Sequence, residues 1–186
     1  FDDYCAEQEC REHPRQFASA HSRFLYFRKP DRDPLYHAHD DTRSRVIVLS
    51  GLPASGKDHW IRENVPGVPC VSLDEIRRQL GVDPGGPQGR VIDAARERAR
   101  VQLRAGDPLV WNATNLSRDI RSRIIDLCAD YNAWIEVVHV ETSPGELRRR
   151  NSARESPVPE KALKRMLDRW TIADLSEAHA VTLVES

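Results

Sequence analysis

The sequence predicts an α/β fold in which a parallel β-sheet is covered by helices on both faces. Three observations carry that prediction. Short β-branched runs alternate with helical patterns along the chain; the runs are continuously apolar, as strands buried in a parallel sheet are; and the first run feeds directly into the glycine-rich turn GLPASGKD at residues 51–58. Strand, helix, strand in succession is the pattern of βαβ units, whose crossovers place helices on the two sheet faces.

The elements follow in order. RVIVLS (45–50), VPCVSL (68–73), PLVWNAT (108–114), AWIEVVHVE (133–141) and the weaker VTLV (181–184) are the strands. Helices are predicted over 89–105, over 117–131 with Ile120, Ile124, Leu127 and Tyr131 on one face, and over 158–170 with Val158, Ala162, Met166 and Trp170 on one face. Residues 1–26 are mixed and mostly helical, and 27–44, rich in Pro, Asp and His, read as a connecting loop. This places a boundary near Arg43, with an extension over 1–44 and one domain over 45–186. There are no internal repeats and no low-complexity tracts.

A length of 186 residues holds one α/β domain with a core and a short appendage. Charged residues are 31% of the chain and hydrophobic ones 39%, ordinary for a soluble globular protein, and the net charge of −1 argues neither for nor against nucleic acid. The arginines, however, gather at 90–104, 118–123 and 148–169, so a local basic face is expected on a neutral protein. No run of about 18 apolar residues exists, so no membrane span is expected. The first residues show no signal-peptide pattern, and Cys5, Cys10, Cys70 and Cys128 are spaced like neither a disulfide framework nor a zinc site, which predicts free thiols in a reducing cytoplasm. His37, His39, Asp40 and Asp41 read as a solvated cluster, because their spacing matches no metal site.

GLPASGKD follows the phosphate-binding pattern G-x-x-x-x-G-K-[ST] up to its last position. A strand ending in such a turn and opening a helix aims backbone N–H groups and the positive end of the helix dipole at one spot. Gly51, Pro53, Ala54, Ser55, Gly56, Lys57 and Asp58 are therefore the candidate cradle for the phosphates of ATP, with Lys57 reaching the outer two. Asp58 stands where a hydroxyl would hold Mg²⁺. A carboxylate is an acceptable ligand for Mg²⁺ or Mn²⁺, directly or through a water, at the cost of a negative charge beside the phosphates.

Three further stretches flank this loop. In VSLDEIRRQLG (71–81), Asp74 and Arg77 stand three apart at a helix start and share a face. There a carboxylate sits at the carboxyl end of the sheet, where such folds bind ligands, although an Asp at that place also suits a helix cap. WNATNLSRDIRSR (111–123) leaves a strand through Thr114 and Asn115; no Asp closes the strand, and a polar turn capped by Asn115 or Ser117 accounts for it equally. ELRRRNSARESPVPEKALKRML (146–167) carries Arg148, Arg149, Arg150 and Arg154 before a proline break and an amphipathic helix. Singly these arginines read as a solvated helix end; together they read as a lid supplying cations above a transferring phosphate.

Taken in order, the four stretches resemble the P-loop polynucleotide kinases, which phosphorylate 5′-hydroxyl ends of nucleic acids, over about Arg45 to Trp170. The resemblance implies a P-loop NTPase fold with an arginine-rich lid, and GLPASGKD as the ATP cradle. DEIR looks like the family's D-x-x-R motif, implying Asp74 as general base on the 5′-hydroxyl and Arg77 as a contact to the acceptor's phosphate. The family's TN element matches Thr114 and Asn115, which implies substrate-binding positions for both, with Ala113 where the family often has Asp. RRNSAR is similar to the lid, with Arg150 and Arg154 at its two arginine positions. The implied cofactors are ATP and Mg²⁺ or Mn²⁺, and the implied partner is a 5′-hydroxyl RNA or DNA end. Some related bacterial kinases are fused to a second repair activity; a start at Phe1 rather than Met and the poorly patterned 1–44 are what the tail of such an upstream domain would show.

Two rivals share most of these features. A small-molecule kinase of the same fold would have no acceptor phosphate for Arg77, and a nucleotide-binding module without catalysis would explain Asp58. RNA and DNA ends are not distinguished, since no residue identifiably addresses a 2′-hydroxyl.

Overall fold

The structure is a computed structural model, which describes residues 17–29 and 31–186. The chain divides into two compact units, Phe1–Asp40 and Asp41–Ser186. In the first, helix α1 (Ala20–Arg28) starts from Ser19, whose hydroxyl accepts the Ser22 N–H at 2.9 Å. The Ser22 hydroxyl in turn accepts the Ala38 N–H at 3.0 Å, which ties the helix to the loop after it. The helical expectation for residues 1–16, with Cys5 and Cys10, lies outside the described residues.

The second unit is a parallel sheet of five strands flanked by helices, the P-loop NTPase-like fold expected from the sequence. In chain order the elements are β1 (Ser44–Ser50), α2 (Lys57–Asn64), β2 (Cys70–Ser72), α3 (Leu73–Gln79), α4 (Gly89–Ala105), β3 (Leu109–Asn112), α5 (Arg118–Ala129), β4 (Ala133–Glu141), α6 (Pro144–Ser152), α7 (Glu160–Leu167) and β5 (Ala180–Glu185). The spatial order is β2-β3-β1-β4-β5. β1 lies at the centre between β3 and β4, and Val46, Val48, Leu49, Leu109 and Val110 are fully buried because helices cover both faces. Each such side chain contributes about 1.5–3 kcal/mol relative to exposure. β5 is an edge strand with Leu183 exposed, which is why its apolar pattern is the weakest of the five.

Register brings the strand ends together. Leu49 lies beside Asn112, Asn112 beside Ser72, and Ser50 beside His139. The carboxyl ends of four strands thus meet where the glycine-rich turn leaves β1.

Two helices differ from expectation in instructive ways. The buried face of α5 is Arg121, Ile124, Ile125 and Cys128, while Ile120 is 48% exposed. The face is rotated because Arg121 is drawn inward: its guanidinium makes two 2.8 Å hydrogen bonds to Glu177, and both side chains are fully or almost fully buried. α7 is shorter than 158–170, ending at Leu167, and its buried side chain is Leu163. Trp170 lies beyond the helix, packed with Met166 against Leu52, Leu116 and Leu147.

Among the described residues Cys70 and Cys128 are free, and no helix is long and apolar enough to cross a membrane. No group of three or more His, Cys, Asp or Glu side chains that could hold a metal comes together among them.

Candidate phosphate-binding site

The turn at 51–56 is shaped by backbone constraints that its residue types explain. Gly51 has φ 152°, and a Cβ there would stand 2.3 Å from the Val140 carbonyl oxygen, so only glycine fits between β1 and β4. Gly56 has φ 104° and precedes α2 directly. Ala54 adopts φ 67° despite its Cβ, a strained conformation of the kind that gathers at ligand-binding turns.

α1, α3, α5 and α6 each start from a serine whose hydroxyl accepts a first-turn N–H. α2 starts at Gly56 with no side-chain cap. Its first-turn donors and dipole therefore face the turn, which suits an anion. Ser55 Oγ is buried in the same turn without a hydrogen-bond partner, so the cradle also holds an unused polar atom. These features fit the phosphate groups of a nucleotide.

Lys57 folds back over the turn, donating to the carbonyls of Gly51 at 2.9 Å and Leu52 at 2.7 Å. Loss of hydration within the turn pulls its pKa down to about 8, opposed by the Asp58 and Asp74 carboxylates and assisted by the Arg154 guanidinium. Those three charges thus lie close enough to act on Lys57. A bound phosphate would raise the lysine's pKa again. Affinity for a phosphate ligand is therefore expected to be full below pH 8 and to fall above it, by up to about tenfold per pH unit until the raised value is reached. Titration calorimetry from pH 7 to 9.5 checks this; a flat profile would show that Lys57 keeps its proton throughout.

Asp58, in the first turn of α2, is exposed, and one of its oxygens accepts from the buried Asn112 amide at 2.7 Å. A carboxylate with one oxygen engaged fits Mg²⁺, which binds through one or two carboxylates together with substrate phosphates.

Asp74 is in the first turn of α3, but the cap of that helix is Ser72. Asp74 is paired with Arg77, and its side chain is 67% exposed. Arg77 is also held by Gln88, whose Oε1 accepts from Nε at 2.8 Å. Gln88 in turn donates to the carbonyls of Asp83 at 2.9 Å and Gly86 at 2.8 Å, so one side chain fixes both Arg77 and the 83–86 turn. Nothing in the sequence pattern singles Gln88 out.

Thr114 and Asn115 brace the cradle from below. The Thr114 carbonyl accepts the Gly51 N–H at 2.9 Å, and the Asn115 carbonyl accepts the Ser50 hydroxyl at 3.0 Å. The buried Asn115 amide nitrogen donates to the Leu49 carbonyl at 2.6 Å, which gives this residue a framework role at the end of β1. Arg121 adds to the brace by donating to the Asn115 and Leu116 carbonyls, each at 3.2 Å.

The two arginines expected to form a lid differ. Arg150 donates to Glu146 at 2.5 Å and to Ser186 Oγ at 3.1 Å, and with Arg149 it holds the Glu146 carboxyl down at a pKa of about 2. Arg154 is exposed and has no ion-pair partner among the described residues. Asn151 closes the loop between α6 and α7, donating to the Val158 carbonyl at 2.9 Å and accepting the Val158 N–H at 3.0 Å. The His139 ring stacks on Trp170 at 5.1 Å, and neither His139 ring nitrogen has a hydrogen-bond partner. The clefts lined by Thr42, Arg45, Gly106 and Trp134 lie at the opposite, amino edge of the sheet.

Comparison with known proteins gives the same architecture. The family described as "AAA domain" matches residues 46–172. A protein from Chloroflexus aurantiacus J-10-fl to which a kinase role is ascribed is 17% identical with a TM-score of 0.63, covering 78% of this chain and 86% of its own. A sugar kinase from Janibacter sp. HTCC2649 is 17% identical with a TM-score of 0.54, covering 76% and 85%. A chain of the Pnkp1/Rnl/Hen1 complex is 18% identical with a TM-score of 0.55; the match covers 67% of this chain and 43% of that one. No curated protein sequence matches the chain.

Proposed function

We infer that this chain, which belongs to the AAA domain family, transfers the γ-phosphoryl group of ATP to the 5′-hydroxyl end of RNA or DNA. The observation that carries the reading is the Asp74–Arg77 pair, set at the carboxyl end of the sheet with the Asp74 charge acting on Lys57. An alcohol attacks phosphorus well only when a base accepts its proton, and an exposed carboxylate next to the phosphate cradle is placed for that task. Lys57, the first turn of α2 and the unpartnered Ser55 hydroxyl bind and orient the phosphates, and Arg154 brings a free guanidinium toward the charge that develops. Mg²⁺ or Mn²⁺, when bound at Asp58, would supply charge neutralisation for the same phosphates. Arg77 offers a bidentate contact to the phosphate of the acceptor's terminal nucleotide.

A second reading, a small hydroxyl acceptor without phosphate, is favoured by the engagement of Arg77 with Asp74 and Gln88 in this arrangement. The two readings separate in one experiment. The protein is incubated with γ-labelled ATP and Mg²⁺ or Mn²⁺, with a short 5′-hydroxyl RNA or DNA oligonucleotide or with simple sugars, alongside Arg77→Ala. Label on the oligonucleotide is expected, with the acceptor KM raised roughly 10–100-fold in the variant, the worth of a charge-assisted hydrogen bond. Label on sugars alone, indifferent to Arg77→Ala, would replace this reading by the second.

A further inference from the structure

Two side chains at the heart of the phosphate site, one charged and one neutral, stand in an unusual arrangement. In P-loop NTPases generally, Mg²⁺ is held by a neutral Ser or Thr hydroxyl just after the loop lysine and by an acidic residue on a neighbouring strand. In this chain the residue after the lysine is Asp58, and the last residue of the strand beside β1 is Asn112. The two are in contact: Asn112 Nδ2 donates to Asp58 Oδ1 at 2.7 Å. Because a carboxylate only accepts, this bond fixes which way the amide is turned.

We propose that Asp58 and Asn112 form an inverted pair, in which the single negative charge of the cation site has moved from the strand to the helix. Asp58 is the ligand, and Asn112 is the positioning residue that holds it. The proposal rests on the nucleotide-binding reading of the turn at 51–58. Three features support the division of roles. Asn112 is 7% exposed and its neighbours Leu49 and Ser72 flank it in the sheet, so its side chain has a fixed base from which to donate. Asp58 is exposed and forms no ion pair among the described residues, so its carboxylate is oriented by Asn112 and its second oxygen stays open to a cation. The charge count is also conserved: one carboxylate and one neutral partner remain, so the phosphates meet the same net charge as in the usual arrangement. Asparagine is the one common side chain of aspartate's shape that can donate to a carboxylate from that strand position, whereas an aspartate there would set two carboxylates at hydrogen-bond distance.

The inversion makes a prediction that a structural role for either residue does not: the pair can be exchanged as a unit. Binding of a non-hydrolysable ATP analogue is measured by calorimetry in EDTA and with Mg²⁺, and Mn²⁺ binding to the protein–nucleotide complex is followed by electron paramagnetic resonance. The proteins are the wild type, Asp58→Ser, Asn112→Ala, Asn112→Asp and the double variant Asp58→Ser/Asn112→Asp. In EDTA all five are expected to retain nucleotide binding. The Mn²⁺ affinity is expected to fall roughly 10–100-fold in Asn112→Ala, as it does when a residue orienting a ligand is removed. It is expected to be lost in Asp58→Ser and restored in the double variant to within about tenfold of wild type. A double variant no better than Asp58→Ser, or an Asp58→Ser protein that binds Mn²⁺ like the wild type, overturns the inverted pair while leaving the phosphate cradle intact. Absence of nucleotide binding from the wild type in EDTA and in Mg²⁺ would overturn the cradle, and the pair with it. Thermal melting of each variant separates misfolding from ligand loss, and the exposed Asp58 site makes Asp58→Asn a further variant that leaves the fold undisturbed while removing the charge.

Discussion

Asp74→Ala is expected to lower the rate of phosphoryl transfer by about 10²–10⁴-fold while leaving ATP affinity and thermal stability nearly unchanged. The separation of these effects follows from the local structure. Ser72 rather than Asp74 caps α3, so the helix keeps its start when the carboxylate is removed. The Asp74–Arg77 pair is largely exposed on the aspartate side, and exposed pairs contribute only about 0–1 kcal/mol. Under the proposed function, what is lost is the group that would accept the proton of the attacking hydroxyl. Asp74→Asn keeps the shape and should fall as far as Asp74→Ala, since an amide accepts no proton at neutral pH. A turnover within about threefold of wild type in both variants would remove Asp74 from the chemistry.

Arg121→Met is expected to destabilise the fold by about 3–5 kcal/mol, the cost of breaking a buried pair by removing one partner. At about 2–4 °C per kcal/mol for a domain of this size, the melting temperature should fall by roughly 6–20 °C. Arg121 is wholly enclosed and Glu177 almost so, and the guanidinium also serves the carbonyls of Asn115, Leu116 and Thr171. Methionine fills much of the volume but leaves the Glu177 charge without a partner and three carbonyls short of a donor. Arg121→Met combined with Glu177→Leu should recover a large part of the loss, because the uncompensated charge is then gone. Because Asn115 also supports the turn at 51–56, the single variant should weaken nucleotide binding as well. Calorimetric melting of the three proteins decides the matter; a fall of less than about 2 °C in Arg121→Met would mean that the pair is not the structural tie described.

The β-sheet was legible because its central strands are buried on both faces, which leaves short, continuous, β-branched apolar runs bounded by turn residues. The phosphate turn was legible because Gly51 and Gly56 answer to backbone geometry and Lys57 to charge, and each restricts the residue type sharply. Arg121 was not legible. A helix with arginines at 118, 121 and 123 reads as solvated, and only the distant Glu177 makes one of them a core residue. The same long-range pairing rotated the buried face of α5 away from Ile120. The partners of Asn112 and Asn151 were not legible for a related reason: an asparagine's use is set by what stands opposite it, Asp58 in one case and Val158 in the other, and spacing along the chain does not reveal that.

The double hydrogen bond between Asn151 and Val158 turns the residues between them into a closed ring with Arg154 on it. Arg150 stays anchored outside that ring by Glu146 and Ser186. A cation on so short a leash meets an anion at an effective concentration of the order of millimolar, whatever the concentration of protein in the cell. Arg154 thus resembles a dissolved counter-ion confined to one small volume, and under the proposed function its charge would be held within reach of the transferring phosphate. Asn151→Ala would open the ring and dilute that counter-ion, leaving its charge unaltered.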